Sequence, residues 1–355
     1  MRFTYLDGMR GLGALFVLAR HWNALLGLDF STSYLAVDLF FTLSGFVIAH
    51  AYENQLRSGA MLPGDFVRVR IARFYPVYAL AVLLCLAVAL TKAAAAGQPP
   101  ALFAEWCVSA LCALLFVPFS VTGSAMMFPL NTAFWSLGQE MLVNLLYAGT
   151  ARLLSDRVLT AIVTVCALLL SATAYATGSI GHGYLSGLPS FLGGSLRAVF
   201  GIALGLLLYR QRARLHGLAT MLPAWCSLLL VAAMLAVPAP PRHTWLLELA
   251  AVFLVFPLAV LMGAAGAPAP GWHGRAMLAL GGASYSLYLL HNPFLKLARR
   301  VAEVSGDWTR PAVGLLALAL VLLCVQVDRR FDQPAARWLR VRLRRKRTLP
   351  LASPG

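Results

Sequence analysis

Arg10 and His21 stand eleven residues apart in the first apolar stretch of this 355-residue chain. A helix turns about 100° per residue and rises about 1.5 Å, so both side chains fall on one stripe, roughly 16 Å apart in depth. Imidazole titrates near neutral pH and suits proton transfer. Guanidinium suits phosphate or a developing oxyanion. Asp7 is three residues from Arg10 and can pair with it on one face. The plain alternative is a snorkelling arginine and a histidine that packs helices.

Four further segments carry polar groups among apolar neighbours. In Val37-Asp38-Leu39-Phe40-Phe41-Thr42-Leu43-Ser44-Gly45-Phe46, Asp38 needs a partner, and Ser44 and Gly45 permit close helix approach. A nucleophilic serine is disfavoured there, because the glycine two residues before Ser44 is missing. Arg70 and Arg73, before Tyr75-Pro76, form a fork suited to phosphate oxygens, or mark topology. In Trp135-Ser136-Leu137-Gly138-Gln139-Glu140, Ser136 and Glu140 share a face. Glu140 lacks a local cation and should seek Arg or His from another helix, as an ion pair or a catalytic partner. Ser284, Tyr288 and His291 place two hydroxyls and an imidazole on one face, for a substrate path or for interhelical hydrogen bonds. Glu105, Arg197 and Glu248 also interrupt apolar runs and have no readable partner. Gly201 and Gly205 form a GxxxG packing pair.

The elements that must position these groups are membrane helices. Hydrophobic residues make up 60% and charged residues 12%, with mean hydropathy +0.76. Soluble domains carry about 25% charged residues. Apolar stretches long enough to cross a bilayer fall near 10–28, 33–51, 74–95, 101–119, 132–153, 158–177, 191–209, 217–237, 244–265, 277–296 and 311–327. The fold class expected is an all-α polytopic bundle of about 10–11 transmembrane helices. It comprises a membrane domain over 1–328 and a short basic cytoplasmic tail over 329–355. Asp7, Arg20 and His21 spoil a signal-peptide pattern, so the first stretch is expected to be retained. Pro and Gly clusters at 97–100, 238–241 and 266–271 mark loops.

Net charge is +16. Basic loops are expected at 52–73, 152–157, 210–214 and in the tail, where Arg344, Arg345, Lys346 and Arg347 follow Arg329, Arg330, Arg337, Arg340 and Arg342. Beside a membrane helix this reads as positive-inside charge against anionic lipid, with no nucleic acid as partner. Three spans between the first two loops put them on opposite sides, so one segment between 74 and 153 is expected to be re-entrant or miscounted. The loop after 296, with Lys296, Arg299, Arg300 and Arg310, breaks the rule. The six cysteines sit in apolar runs without metal-type pairing, and the remaining histidines lack ligand spacing; no metal is expected.

The five polar segments, in this order, resemble the acyltransferase-3 family of integral membrane O-acyltransferases. The family pattern is Arg-x10-His (Arg10, His21), Val-Asp-Leu-Phe-Phe-x-Leu-Ser-Gly-Phe (37–46), arginines before Tyr-Pro (Arg70, Arg73), Trp-Ser-Leu-x-x-Glu (135–140) and Ser-Tyr-Ser-Leu-Tyr-Leu-x-His (284–291). Asn292 departs from a tryptophan frequent in the family. Few residues follow 327, so a fused SGNH-type esterase domain is not expected. The resemblance implies transfer of an acyl group, usually acetyl, from acyl-CoA to a hydroxyl of a cell-envelope carbohydrate or lipid-linked glycan. It implies a multi-pass protein of the inner (cytoplasmic) membrane. Acetyl-CoA would be a substrate, and no permanently bound cofactor is implied.

On that reading His21 is general base or transient acyl carrier, with Glu140 or Asp38 orienting its ring and Arg10 holding a phosphate or the developing oxyanion. Arg70 and Arg73 would hold donor phosphates, and Asp38, Ser44, Trp135, Ser136, Tyr288 and His291 would line the substrate path. The competing readings are a proton-coupled exporter of lipid or sugar, whose proton relay would use the same buried charges, and an assembly partner with no chemistry of its own.

Overall fold

The computed structural model describes residues 3–240 and 242–343. Arg344, Arg345, Lys346 and Arg347 of the expected tail, and Pro241 of an expected loop, lie outside the described residues. Among the described residues the fold is all-α; an isolated bridge between Met126 and Leu185 is the sole β pairing. Six helical stretches are long and apolar enough to cross a membrane: Ser31–Ser58, Pro63–Ala95, Asp156–Thr177, Leu188–Gln211, Thr244–Ala265 and Gly271–Leu343. Each of the eleven apolar stretches contains a helix. We label them α1 (Thr4–His21), α2 (Ala36–Ile48), α3 (Pro63–Ala95), α4 (Pro100–Leu114), α5 (Phe134–Thr150), α6 (Asp156–Thr177), α7 (Leu188–Gln211), α8 (Cys226–Ala236), α9 (Thr244–Ala265), α10 (Gly271–Ser305) and α11 (Thr309–Val327). A twelfth, α12 (Gln333–Leu343), lies in the region expected to be a tail.

Two expected loops are helix instead. Pro63 opens α3, because its fixed φ and missing N–H suit a first helical turn. Arg68, Arg70 and Arg73 therefore ride on the first turns of α3, eleven residues earlier than hydropathy placed its start. Lys296, Arg299 and Arg300 likewise lie on α10, which runs on to Ser305.

The conflict in the charge pattern resolves at α4. Its 15 residues rise roughly 22 Å, short of a bilayer core of about 30 Å. Tyr78, midway along α3, donates its hydroxyl proton to the Ala113 carbonyl at the inner end of α4 (2.6 Å). The chain then doubles back, and the backbone N–H and hydroxyl of Thr122 donate to Glu105 at 2.7 and 2.8 Å. The chain after α4 thus returns to the first half of that helix. The basic segments now share one end of the bundle. Arg152 reaches the Leu56 carbonyl, Arg210 bridges Glu53 and Asp156, and Arg73 pairs with Asp332.

Small residues set the closest crossings. α1 lies along α10 and α2 along α7. A Cβ on Gly45 would collide with the Ile202 carbonyl, and one on Gly205 with the Thr42 carbonyl. The GxxxG pair of α7 thus seats it against α2. Gly205→Val is expected to destabilise the bundle by about 1–3 kcal/mol through overpacking, read as a lowered unfolding temperature in detergent.

Pro293 interrupts α10 and removes the N–H that would bond the Leu289 carbonyl. Asn131 fills the gap, donating its amide to that carbonyl at 2.8 Å. Asn292 in turn donates to Asn131 Oδ1 at 2.6 Å. All six cysteines are free thiols.

Candidate active site

The polar segments gather around two cavities. The first, about 280 Å³, opens at the end of the bundle that carries the basic segments. Arg10 from α1, Ser44 from α2, Arg70 and Arg73 from α3, Ser136 and Glu140 from α5, and Tyr288 from α10 line it. The three-residue step from Arg70 to Arg73 and the four-residue step from Ser136 to Glu140 turn both pairs inward. Arg70 Nη2 donates to Glu140 Oε1 at 2.8 Å, and the Ser44 hydroxyl donates to the same oxygen. Arg73 Nη1 donates to Asp332 at 2.6 Å. The guanidinium of Arg70 lies 4.5 Å from the Phe74 ring centre, and that of Arg73 lies 5.5 Å from Tyr285. Arg10 stands 4.0 Å from Asp7.

The second cavity, about 470 Å³, lies at the His21 end of α1. His21, Arg20, Tyr34, Trp135, Ser179, Tyr184 and Arg197 line it, so it is aromatic with a few directed polar groups. Arg197 holds Asp38 by two parallel bonds of 2.9 and 2.6 Å, gives a third to the His182 carbonyl at 2.7 Å, and lies 5.2 Å from the Trp135 ring centre. Glu248 accepts from Ser179 at 2.8 Å, from the Ile180 N–H at 2.6 Å and from the Tyr34 hydroxyl. Arg20 donates to the Ser31 carbonyl and lies over the Tyr34 ring. Val37 and Tyr288 line both cavities and so stand between them. Tyr288 is held there by a 2.6 Å hydrogen bond to Ser136.

Three expectations change. Glu140 and Asp38 were candidates to orient His21, yet each is engaged by an arginine, Arg70 and Arg197 respectively. A buried carboxylate takes the nearest guanidinium, because an unpaired charge there is far costlier than a rearranged imidazole. The ring beside His21 is His291, with centres 4.6 Å apart. His291 lines neither cavity and is fully buried. Its Nδ1 donates to the Leu287 carbonyl at 3.2 Å, which leaves Nε2 as an acceptor with no hydrogen-bond partner. Finally, Arg10 and His21 share a stripe of α1 but open into different cavities. The half-bilayer rise between them separates Arg10 from an oxyanion forming beside His21, one of its two expected roles.

Arg197, Glu248 and Glu105, each without a readable partner in sequence, now have one. The residues that sequence reasoning passed over are Arg20, Tyr34, Tyr184 and Ser179. Arg20 was signalled by lying beside His21, whereas nothing local marks the two tyrosines. Among the described residues no group of three or more His, Cys, Asp or Glu is placed to hold a metal ion.

Residues 3–327 match the model of the acyltransferase-3 family, an acyltransferase domain. The chain is also similar to "Protein 2 in picA locus" of Rhizobium radiobacter, at 39% identity over 186 residues, 49% of this chain and 96% of that protein. No solved structure matches. The family match runs from the first described residue through α11 and so takes in every lining residue of the second cavity and all but Arg340 of the first. On that coverage the chain belongs to the acyltransferase-3 family, as a multi-pass membrane acyltransferase.

Proposed function

We propose that the protein transfers an acetyl group from acetyl-CoA to a hydroxyl of a cell-envelope carbohydrate or its lipid-linked precursor, in the inner (cytoplasmic) membrane. What supports this reading is a pair of adjacent cavities with Val37 and Tyr288 in common, one rich in arginine and the other holding His21 among aromatic walls. The arginine cavity sits at the end where basic segments cluster, which by the positive-inside rule faces the cytoplasm and its acyl-CoA. Arg10, Arg70 and Arg73 face the donor phosphates, while Glu140 and Ser44 fix the Arg70 guanidinium. On this reading the thin pantetheine arm passes between Val37 and Tyr288 and presents its thioester to the second cavity. Trp135, Tyr34 and Tyr184 offer flat apolar faces with polar edges, which suit a sugar ring.

His21 takes the proton of the acceptor hydroxyl as its oxygen attacks the thioester carbonyl. The new C–O bond forms, the C–S bond breaks, and the proton passes from the imidazolium to the departing thiolate. His291, fully buried against the His21 ring, positions it.

Membership of an acyltransferase family favours this chemistry over a proton-coupled exporter. Arg10→Ala tests the donor side, because Arg10 is partly exposed in the cavity and its loss spares the buried ion pairs. The apparent KM for acetyl-CoA is expected to rise roughly tenfold, as for one lost charge-assisted hydrogen bond, with kcat little changed. Steady-state kinetics with labelled acetyl-CoA in proteoliposomes reads both. An unaltered KM with a collapsed kcat would move Arg10 from the donor phosphates to the reaction itself.

A further inference from the structure

The segment expected to be a free basic tail is built into the arginine cavity. Asp332, Ala336 and Arg340 are spaced by four, so they share one face of the helix that ends in α12. Asp332 is fully buried and takes the Arg73 guanidinium at 2.6 Å. Ala336 is buried next to it, and α12 packs on α3. One turn further on, Arg340 lines the mouth of the cavity with Arg10, Arg70 and Arg73. The other face of α12 carries Trp338 and Val341, 57% and 72% exposed, with Arg342 over the Trp338 ring at 5.2 Å. Apolar rings flanked by arginines are the surface of a helix that lies in the membrane interface. One face of α12 thus suits a membrane interface, while the opposite one contributes Arg340 to the cavity.

The charge balance of the cavity calls for an anion. Its lining includes four arginines and one carboxylate, Glu140. Glu140 is taken by Arg70; just outside, Asp332 is taken by Arg73 and Asp7 stands 4.0 Å from Arg10, so the surplus charge of the lining is that of Arg340. Arg340 is exposed at the mouth, where an entering polyphosphate passes first.

The geometry points to α12 as a wall of the donor site and to Arg340 as its added phosphate-binding residue, reading the phosphates of a coenzyme A thioester. The inference rests on the acyl-CoA reading above. It makes residues 329–343 part of the acyltransferase domain, where a separate tail over 329–355 was expected.

Coenzyme A itself is the probe, because it binds without reacting. In titration calorimetry of the purified full chain, Arg340→Ala is expected to weaken coenzyme A roughly tenfold. Pantetheine, which lacks the phosphates, should bind wild type and Arg340→Ala alike. Arg342→Ala removes the same charge from about 200° round the helix and should leave coenzyme A affinity unchanged. Equal losses in Arg340→Ala and Arg342→Ala would reduce the effect to general surface charge and overturn the proposal. So would unchanged coenzyme A affinity in Arg340→Ala. The mechanism fails separately. If His21→Ala still transfers acetyl while Arg340→Ala loses affinity, the role of His21 falls and the wall stands. If the wild-type chain binds no coenzyme A at all, the acyl-CoA reading and the wall fall together.

Discussion

Replacing His21 with alanine is expected to cut acetyl transfer by roughly 10²–10⁴-fold, the usual cost of losing a general base. The folded state should survive, because the ring opens into the second cavity and packs mainly beside His291. Coenzyme A should still bind, since the arginines proposed to read its phosphates lie in the other cavity, at the far end of α1. The measurement is single-turnover transfer of labelled acetyl to acceptor by purified protein, with binding followed in parallel. A rate within a few-fold of wild type would remove His21 from the chemistry. A covalent acetyl group trapped on His21 in the absence of acceptor would replace the general base with an acyl carrier. His291→Phe keeps the ring packing but loses the imidazole. It is expected to lower the rate less than His21→Ala and to shift the pH profile of kcat, a change that a purely structural role would not produce.

The largest effect on stability is expected from Arg197→Ala. Arg197 and Asp38 are both buried, their two parallel bonds join α7 to α2, and a third bond ties the loop at His182. Removing the guanidinium leaves a buried carboxylate without its partner, at a cost of about 3–5 kcal/mol. Many folded proteins have a total stability of about 5–15 kcal/mol. The variant should therefore give little monodisperse protein in detergent, or unfold at a much lower temperature. The double replacement Arg197→Met with Asp38→Leu removes both charges and should recover most of the loss, because matched apolar groups replace buried pairs at little cost. Recovery of folding shows whether the pair's role is structural. If the double variant is as unstable as Arg197→Ala, the third bond at His182 carries the stability instead of the ion pair.

Much of the site was legible because its signals are local. A charge in an apolar run is expensive wherever the chain goes, so Arg10, His21, Asp38, Arg70, Glu140 and Arg197 announce themselves singly. Helical spacing also showed which of them share a face, as with Ser136 and Glu140. Which charge meets which was not legible. Asp38 and Arg197 are 159 residues apart, and Arg73 and Asp332 are 259 apart. No periodicity reports a contact across such a distance, so the carboxylates were assigned to His21 when arginines lay nearer. Tyr34 and Tyr184 escaped because an aromatic residue in a membrane protein is unremarkable until a cavity forms beside it.

The sequence by itself determined the solvent and the menu: an apolar chain with few charges must be a helical bundle in lipid, since only helices or closed barrels satisfy their backbone there. It also determined that Arg10 and His21 lie half a bilayer apart on one stripe, because helix geometry is fixed by covalent structure. The tertiary structure decided that this distance separates two cavities. It decided that α4 turns back, because the partners that reverse the chain, Tyr78 and Glu105, lie on different helices. It decided, too, that α12 packs on α3, with the buried Asp332 just before it paired to Arg73. Helix periodicity is local and can be read from a chain, whereas charge pairing and cavity shape depend on how helices cross.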